Sequence, residues 1–183
     1  TDALTLAPRS DNYVPAWPLA GGRHKCVPPT VRDYLRSPAR LARAVTLRTR
    51  LILVNTPVNP SGRVFTREEL SAIARICEKH GLIAVTDEIY EHIWFNEHRH
   101  VSLGSLPGME DRTVTLSGLG KTYAVTGWRV GWAVAAAPLT ALIRKVHDYL
   151  TICAPSPFQA AGVAALALPD SYYENMRARY RQR

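Results

Sequence analysis

Long apolar runs are missing from this 183-residue sequence. None approaches the roughly 20 residues that cross a bilayer as a helix, so no membrane association is expected. The opening stretch TDALTLAPRSDNY lacks the basic start and apolar segment of a signal peptide, which makes a soluble, cytoplasmic protein the expectation. Cysteine is scarce: Cys26, Cys77 and Cys153 are an odd number at wide spacing. With no CxxC pair, neither a disulfide framework nor a zinc site is suggested. Buried free thiols in a reducing compartment are expected instead. Acidic residues are few, 15 against 23 Lys and Arg, which leaves a net charge of +8. The positive charges are spread along the chain except in RARYRQR at its end, which in helical register reads as a solvated face. No nucleic-acid-binding module accompanies them, so nucleic acid is not an expected partner. A single phosphate-bearing ligand would also suit the surplus of arginine. Internal repeats and low-complexity linkers are absent too. A composition of 46% apolar and 21% charged residues excludes disordered, collagen-like and disulfide-stapled classes and leaves an ordinary globular domain.

The rhythm of the chain changes near residue 50. Residues 1–45 are rich in Pro and Arg and read mostly as loop, with one short strand around His24–Val27. A short helix follows in SPARLARAV, with Ser37 as N-cap and Pro38 at the first helical position. LILVN is then a continuous apolar run ending in TPVNPSG, the mark of a strand covered on both faces. TREE places Glu69 three residues after Thr66, a capping box for a helix that buries Leu70, Ile73, Ala74 and Cys77 and stops at Gly81. LIAVT and TVTLS are two further buried strands, the first ending at Asp87 and the second just before Lys121. Strand, helix, strand with buried strands predicts an α/β fold, a mostly parallel sheet with flanking helices. GWRVGWAVA, over 127–135, follows too soon for a helical crossover and is expected to run antiparallel to its neighbours. Helices are predicted over 138–150 and 157–167, and a last one from Asp170 to the end.

Polar residues gather at the carboxyl ends of these strands: Asn55 and Asn59, then Asp87, then Ser117 and Lys121. Ligands of open α/β sheets sit at such ends. Asp87 beside a buried strand is costly without a cation or donor, although an Asp can also cap a helix beginning at Glu88. Lys121 lies in the small-residue loop GLGKTY, where a lysine can serve as nucleophile or base or stand merely as a surface lysine. HIWFNEHRH gathers His92, His98 and His100 and reads as a surface loop rather than a metal site.

NTPVNPSG, VTDEIY and SGLGKTYAVTGWRVGW, in this order and spacing, resemble the class I and II aminotransferases, pyridoxal-phosphate enzymes of fold type I. Within that superfamily the chain is similar to the aspartate, methionine and kynurenine aminotransferase branch, and DNYVPAWPLAGG near Tyr13 is similar to it as well. The resemblance implies pyridoxal 5'-phosphate as cofactor and transfer of an amino group from an L-amino acid to a 2-oxo acid. It implies Lys121 as the amine that bonds the cofactor aldehyde and then moves the substrate proton. Asp87 would hold the pyridine nitrogen protonated, Tyr90 and Asn59 would bond the phenolic oxygen, and Arg129 would grip the phosphate. Ser117 is a further candidate phosphate contact. It stands one position before Gly118, the site where many relatives carry a hydroxyl. Asn55 and Pro57 would shape the turn, with a cis bond at Asn59–Pro60, and Trp128 and Trp132 are core or interface aromatics.

The same resemblance makes residues 1–183 the central and C-terminal part of a cofactor-binding large domain. Its phosphate-cradling loop, its ring-stacking aromatic, and a small domain with an arginine for the substrate carboxylate are expected outside this sequence. Arg177, Arg179, Arg181 and Arg183 are not substitutes for that arginine. An exposed sheet edge and apolar faces are expected, to be covered by further chain or a partner, and a homodimer is implied. A pyridoxal-phosphate β-lyase, or a non-catalytic binding or regulatory domain of the same fold, are the alternatives.

Overall fold

The computed structural model describes residues 1–7, 13–28, 38–95 and 99–183. Ser37, His98, and the Asp11 and Asn12 that open DNYVPAWPLAGG lie outside the described residues. Among the described residues six strands form one sheet: β1 (Asp2–Leu6), β2 (Arg23–Val27), β3 (Thr49–Asn55), β4 (Ile83–Asp87), β5 (Thr113–Gly118) and β6 (Gly131–Ala135). Their order is β2-β1-β3-β4-β5-β6. Every neighbouring pair from β2 to β5 is parallel, and only β5 and β6 run antiparallel. The mostly parallel α/β fold read from the apolar runs is therefore present. The flanking helices are α1 (Tyr13–Leu19), α2 (Pro38–Ala44), α3 (Arg67–His80), α4 (Leu119–Thr122), α5 (Ala137–Leu150), α6 (Ser156–Leu166) and α7 (Asp170–Gln182).

α3 shows how sequence becomes architecture here. The Glu69 amide donates to Thr66 Oγ1 at 3.3 Å, and the Thr66 amide donates to Glu69 Oε2 at 2.9 Å. This reciprocal pair satisfies two amides that would otherwise lack partners at the helix start. The Glu69 carboxylate also pairs with Arg63. Gly81, at φ +61°, closes the other end by donating its amide to the Cys77 and Glu78 carbonyls. Between these caps Leu70, Ile73, Ala74 and Cys77 are buried against Leu4, Ile52, Leu82, Leu103 and Met109. That core fills the face of β1, β3 and β4 and fixes the strands whose ends carry the polar residues.

Three local readings need correction. β1 and α1 fall where loop was expected. DALTL is short and mixes Asp2 and Thr5 with apolar residues, yet it lies between β2 and β3 with Ala3, Leu4 and Thr5 buried. α1 holds Pro15 in its first turn, where an amide has no intrahelical acceptor, and Pro18 close to its end. β6 begins at Gly131, not 127, because Thr126–Trp128 forms a 3-10 turn and Arg129 adopts a left-handed φ of 54°.

The thiols and histidines also differ from expectation. Cys77 is buried, but Cys26 on edge strand β2 and Cys153 between α5 and α6 are exposed. Burial pushes the Cys77 thiol up to about 12, so it stays protonated and inert at neutral pH. Titrating the native protein with an aromatic disulfide reagent at pH 8 should therefore count Cys26 and Cys153, with Cys77 reacting only after denaturation. His100 is not on a surface loop. Its side chain is 8% exposed and hydrogen-bonds through Nε2 to Glu88 Oε2 at 2.8 Å. Among the described residues no group of His, Cys, Asp and Glu is arranged to hold a metal ion, and no helix is long and apolar enough to cross a membrane.

Burial is uneven across the molecule. α5 and α7 bury no residue fully, and Val134, Leu142, Val146, Tyr149 and Leu150 are open to solvent. Apolar faces thus lie uncovered around β6 and α5, as the family resemblance implied. The end of α7 is largely solvated as read, but its start is not. The Tyr172 hydroxyl donates to the Thr122 carbonyl at 2.9 Å, Tyr173 shares a hydrogen bond with Tyr123, and the Arg177 guanidinium lies 4.5 Å above the Trp94 ring.

Candidate active site

Parallel pairing brings the ends of β3, β4 and β5 level. Asn55 lies opposite Asp87, and Asp87 lies opposite Leu116. The loops leaving these strands therefore open on one side of the sheet, where they enclose a cavity of about 430 Å³. Asn59, Asp87, Tyr90, Ser117, Lys121 and Arg129 all line it. Residues spread over 70 positions of sequence thus share one chamber, within the size range of small-molecule sites.

Each wall has a local cause. Asn55 is buried and shapes its turn: its Oδ1 accepts the Asn59 amide at 2.8 Å, and its Nδ2 donates to the Asp87 carbonyl at 2.9 Å. The Thr56–Pro57 and Asn59–Pro60 bonds are both cis, the second as expected, and Asn59 borders the chamber from this turn. Asp87 ends β4, and its Oδ1 accepts the Ile89 amide at 3.2 Å. A helix does not start at Glu88. The chain turns instead, and Glu88 is completely buried on the opposite side. There its carboxylate accepts from Ser102 Oγ at 3.1 Å and the Leu103 amide at 3.3 Å, besides His100. That buried anchor, which sequence reasoning missed, fixes the turn from which Asp87 and Tyr90 face the chamber.

Lys121 sits on α4, the short helix that follows β5 directly. Its Nζ lies 5.9 Å from the centre of the Tyr90 ring, the outer range of a cation–π contact. Among the described residues no hydrogen bond or ion pair ends on this Nζ, so the amine is available to a ligand. Arg129 donates one N–H to the Thr126 carbonyl at 3.1 Å and lines the chamber, and its guanidinium has further donors to offer. Ser117 is buried and gives its hydroxyl proton to Glu91 Oε1. Gly118 approaches its neighbour closely: a Cβ there would stand 2.8 Å from the Val130 carbonyl oxygen and 3.0 Å from Gly131 Cα. Gly118→Ala should part β5 from β6 and lower stability by about 1–3 kcal/mol, read from the urea midpoint. A side chain at position 118 would require the Val130 carbonyl and Gly131 to move from where they stand here.

Tyr13 is the second residue that sequence reasoning did not place in the site. It reaches the chamber from α1, and its hydroxyl donates to Asp87 Oδ2 across 74 positions of sequence. Its only sequence signal was membership of a stretch with a family look.

The donor set suits a phosphorylated aromatic aldehyde with a basic ring nitrogen. A carboxylate is available for the nitrogen, an amine for the aldehyde, and a guanidinium for the phosphate. Pyridoxal phosphate carries those groups together, so the residues present fit it.

Comparison with known proteins agrees with this chemistry. The family profile described as aminotransferase class I and II matches residues 4–183. A probable N-succinyldiaminopimelate aminotransferase of Mycobacterium tuberculosis is 38% identical over 185 residues, covering 100% of this chain and 47% of that protein. Human kynurenine–oxoglutarate transaminase 1 is 36% identical over 171 residues, covering 87% of this chain and 40% of its own. The solved structure of the Mycobacterium tuberculosis N-succinyldiaminopimelate aminotransferase superposes with a TM-score of 0.95 at 38% identity, over 100% of this chain and 48% of that one. The chain spans about half the length of the curated relatives it matches.

Proposed function

Because the chain belongs to the class I and II aminotransferases, we propose that it carries the cofactor site of a pyridoxal-phosphate-dependent enzyme. That enzyme moves an amino group from an L-amino acid to a 2-oxo acid. The observation that carries the reading is the convergence of Lys121, Asp87 and Arg129 on one chamber at the ends of parallel strands. When bound, the cofactor supplies an electron sink for the bond-breaking at the substrate α-carbon.

The chain's own residues do the rest. Lys121 Nζ would hold the cofactor at its aldehyde carbon, and once freed by substrate it would carry the α-proton to the cofactor's C4′ carbon, across the nitrogen that separates the two carbons. The Asp87 carboxylate accepts the N–H of the ring nitrogen and keeps that nitrogen protonated. Tyr90 and Asn59 donate to the phenolic oxygen. Arg129 holds the phosphate through paired N–H donors. Ser117 borders the same region, but its proton is committed to Glu91, so Arg129 carries that contact.

In this reading residues 1–183 form the central and C-terminal part of the large domain of a homodimer. The uncovered apolar surface around β6 and α5 supports a covering partner or further chain. The free thiols of Cys26 and Cys153, exposed to solvent, suit the reducing cytoplasm. The β-lyase and regulatory alternatives gain nothing from the relatives described above, each of which is called an aminotransferase or transaminase. The test is a visible absorption spectrum with added pyridoxal phosphate, then borohydride reduction and peptide mapping. A new band and a label on Lys121 are expected. The reading fails if a saturating cofactor concentration yields neither.

A further inference from the structure

Asp87 is held at more points than a strand-end carboxylate needs. Its carbonyl accepts the Asn55 Nδ2 at 2.9 Å and the Thr56 amide at 3.1 Å, and its Oδ1 accepts the Ile89 amide at 3.2 Å. These bonds fix the backbone and one oxygen. The other oxygen, Oδ2, is fixed by the Tyr13 hydroxyl, brought in by α1. Tyr13 is half-buried and borders the same chamber as Asp87, Tyr90 and Lys121. Burial first, then the bond to Asp87 and the nearby Asp87 and Tyr90 charges, hold its phenol far above the usual range of tyrosine. The hydroxyl is therefore a constant donor and never a base in any ordinary buffer.

We infer that Tyr13 is a positioning residue: by donating to Asp87 Oδ2 it turns the carboxylate toward the ring nitrogen of the bound cofactor. The inference rests on the cofactor reading above. Oδ2 has two lone-pair directions. With one taken by Tyr13, the plane of the carboxylate is set and the remaining pair has a defined direction. Without Tyr13, the carboxylate keeps only the Ile89 amide among the described residues and rotates about its last torsion, which is broad for Asp. Ring-nitrogen protonation then weakens although Asp87 is still present. Tyr13 itself needs no contact with the cofactor or the reacting atoms.

The experiment uses the full-length protein loaded with pyridoxal phosphate labelled with ¹⁵N in the ring. In wild type the nitrogen resonance should lie at the protonated position. Tyr13→Phe should move it toward the neutral position and weaken cofactor affinity about tenfold, the scale of one charge-assisted hydrogen bond, with the melting temperature little changed. Asp87→Asn should move it further in the same direction. Adding Tyr13→Phe to Asp87→Asn should produce no further movement, because Tyr13 acts only through Asp87. An unmoved resonance in Tyr13→Phe, or additive shifts in the double variant, would overturn the inference and leave the cofactor reading standing. A wild-type protein that takes up no cofactor overturns both.

Discussion

Lys121→Ala is expected to leave a folded protein that takes up pyridoxal phosphate without bonding to it. Transamination should fall by about 10,000-fold or more, the upper range for loss of a positioned proton-transfer group. Two jobs disappear with one atom, since Nζ is both the nucleophile and the carrier of the α-proton. Folding should survive because no hydrogen bond or ion pair among the described residues depends on this Nζ. Its loss therefore strands no buried partner. Borohydride reduction should label no peptide, and a single-turnover assay should show a flat trace over the wild-type timescale. Substantial turnover by this variant would remove Lys121 from the chemistry.

Asp87→Asn should separate attachment from turnover. The amide has nearly the shape of the carboxylate, keeps an oxygen for the Ile89 amide or the Tyr13 hydroxyl, and leaves β4 paired with β3 and β5. Lys121 should still be labelled after reduction. The catalytic rate should nevertheless fall by about 100- to 10,000-fold, because a neutral amide does not hold the ring nitrogen protonated. The measurement is rate and label on the same sample. A rate within about threefold of wild type would mean that Asp87 serves the strand end rather than the ring.

The parts of this molecule that were legible in sequence are those governed by local rules. β3, β4 and β5 show as short, largely apolar runs because each lies between two neighbours in the sheet with most of its side chains buried or half-buried. α3 shows its boundaries because Thr66, Glu69 and Gly81 each satisfy a specific terminal group. β1 and α1 were not legible. Five mixed residues become a strand only between two neighbours, and a helix holding Pro15 and Pro18 runs against intrinsic preference. The start of β6 was misjudged because the left-handed backbone of Arg129 is a conformation that a non-glycine residue rarely announces. In the site, strand ends identified Asn59, Asp87, Ser117 and Lys121, and family resemblance added Tyr90 and Arg129. Tyr13 and Glu88 escaped because their meaning lies in contacts made at a distance. The first spans 74 positions to Asp87, and the second joins His100, Ser102 and Leu103 behind the turn.

The level strand ends have a thermodynamic consequence. The chamber is walled by α1, by the turn after β3, by the turn after β4, and by the segment from β5 to Arg129. Any molecule held there fastens together stretches of chain that the covalent backbone keeps far apart. Opening the sheet must first release it, so occupancy and unfolding are coupled by mass action. A ligand at about 100 times its dissociation constant adds about 2.7 kcal/mol to the folded state. The molecule that serves the chemistry is in this sense also a clasp, and the protein's resistance to heat becomes a readout of what its chamber contains.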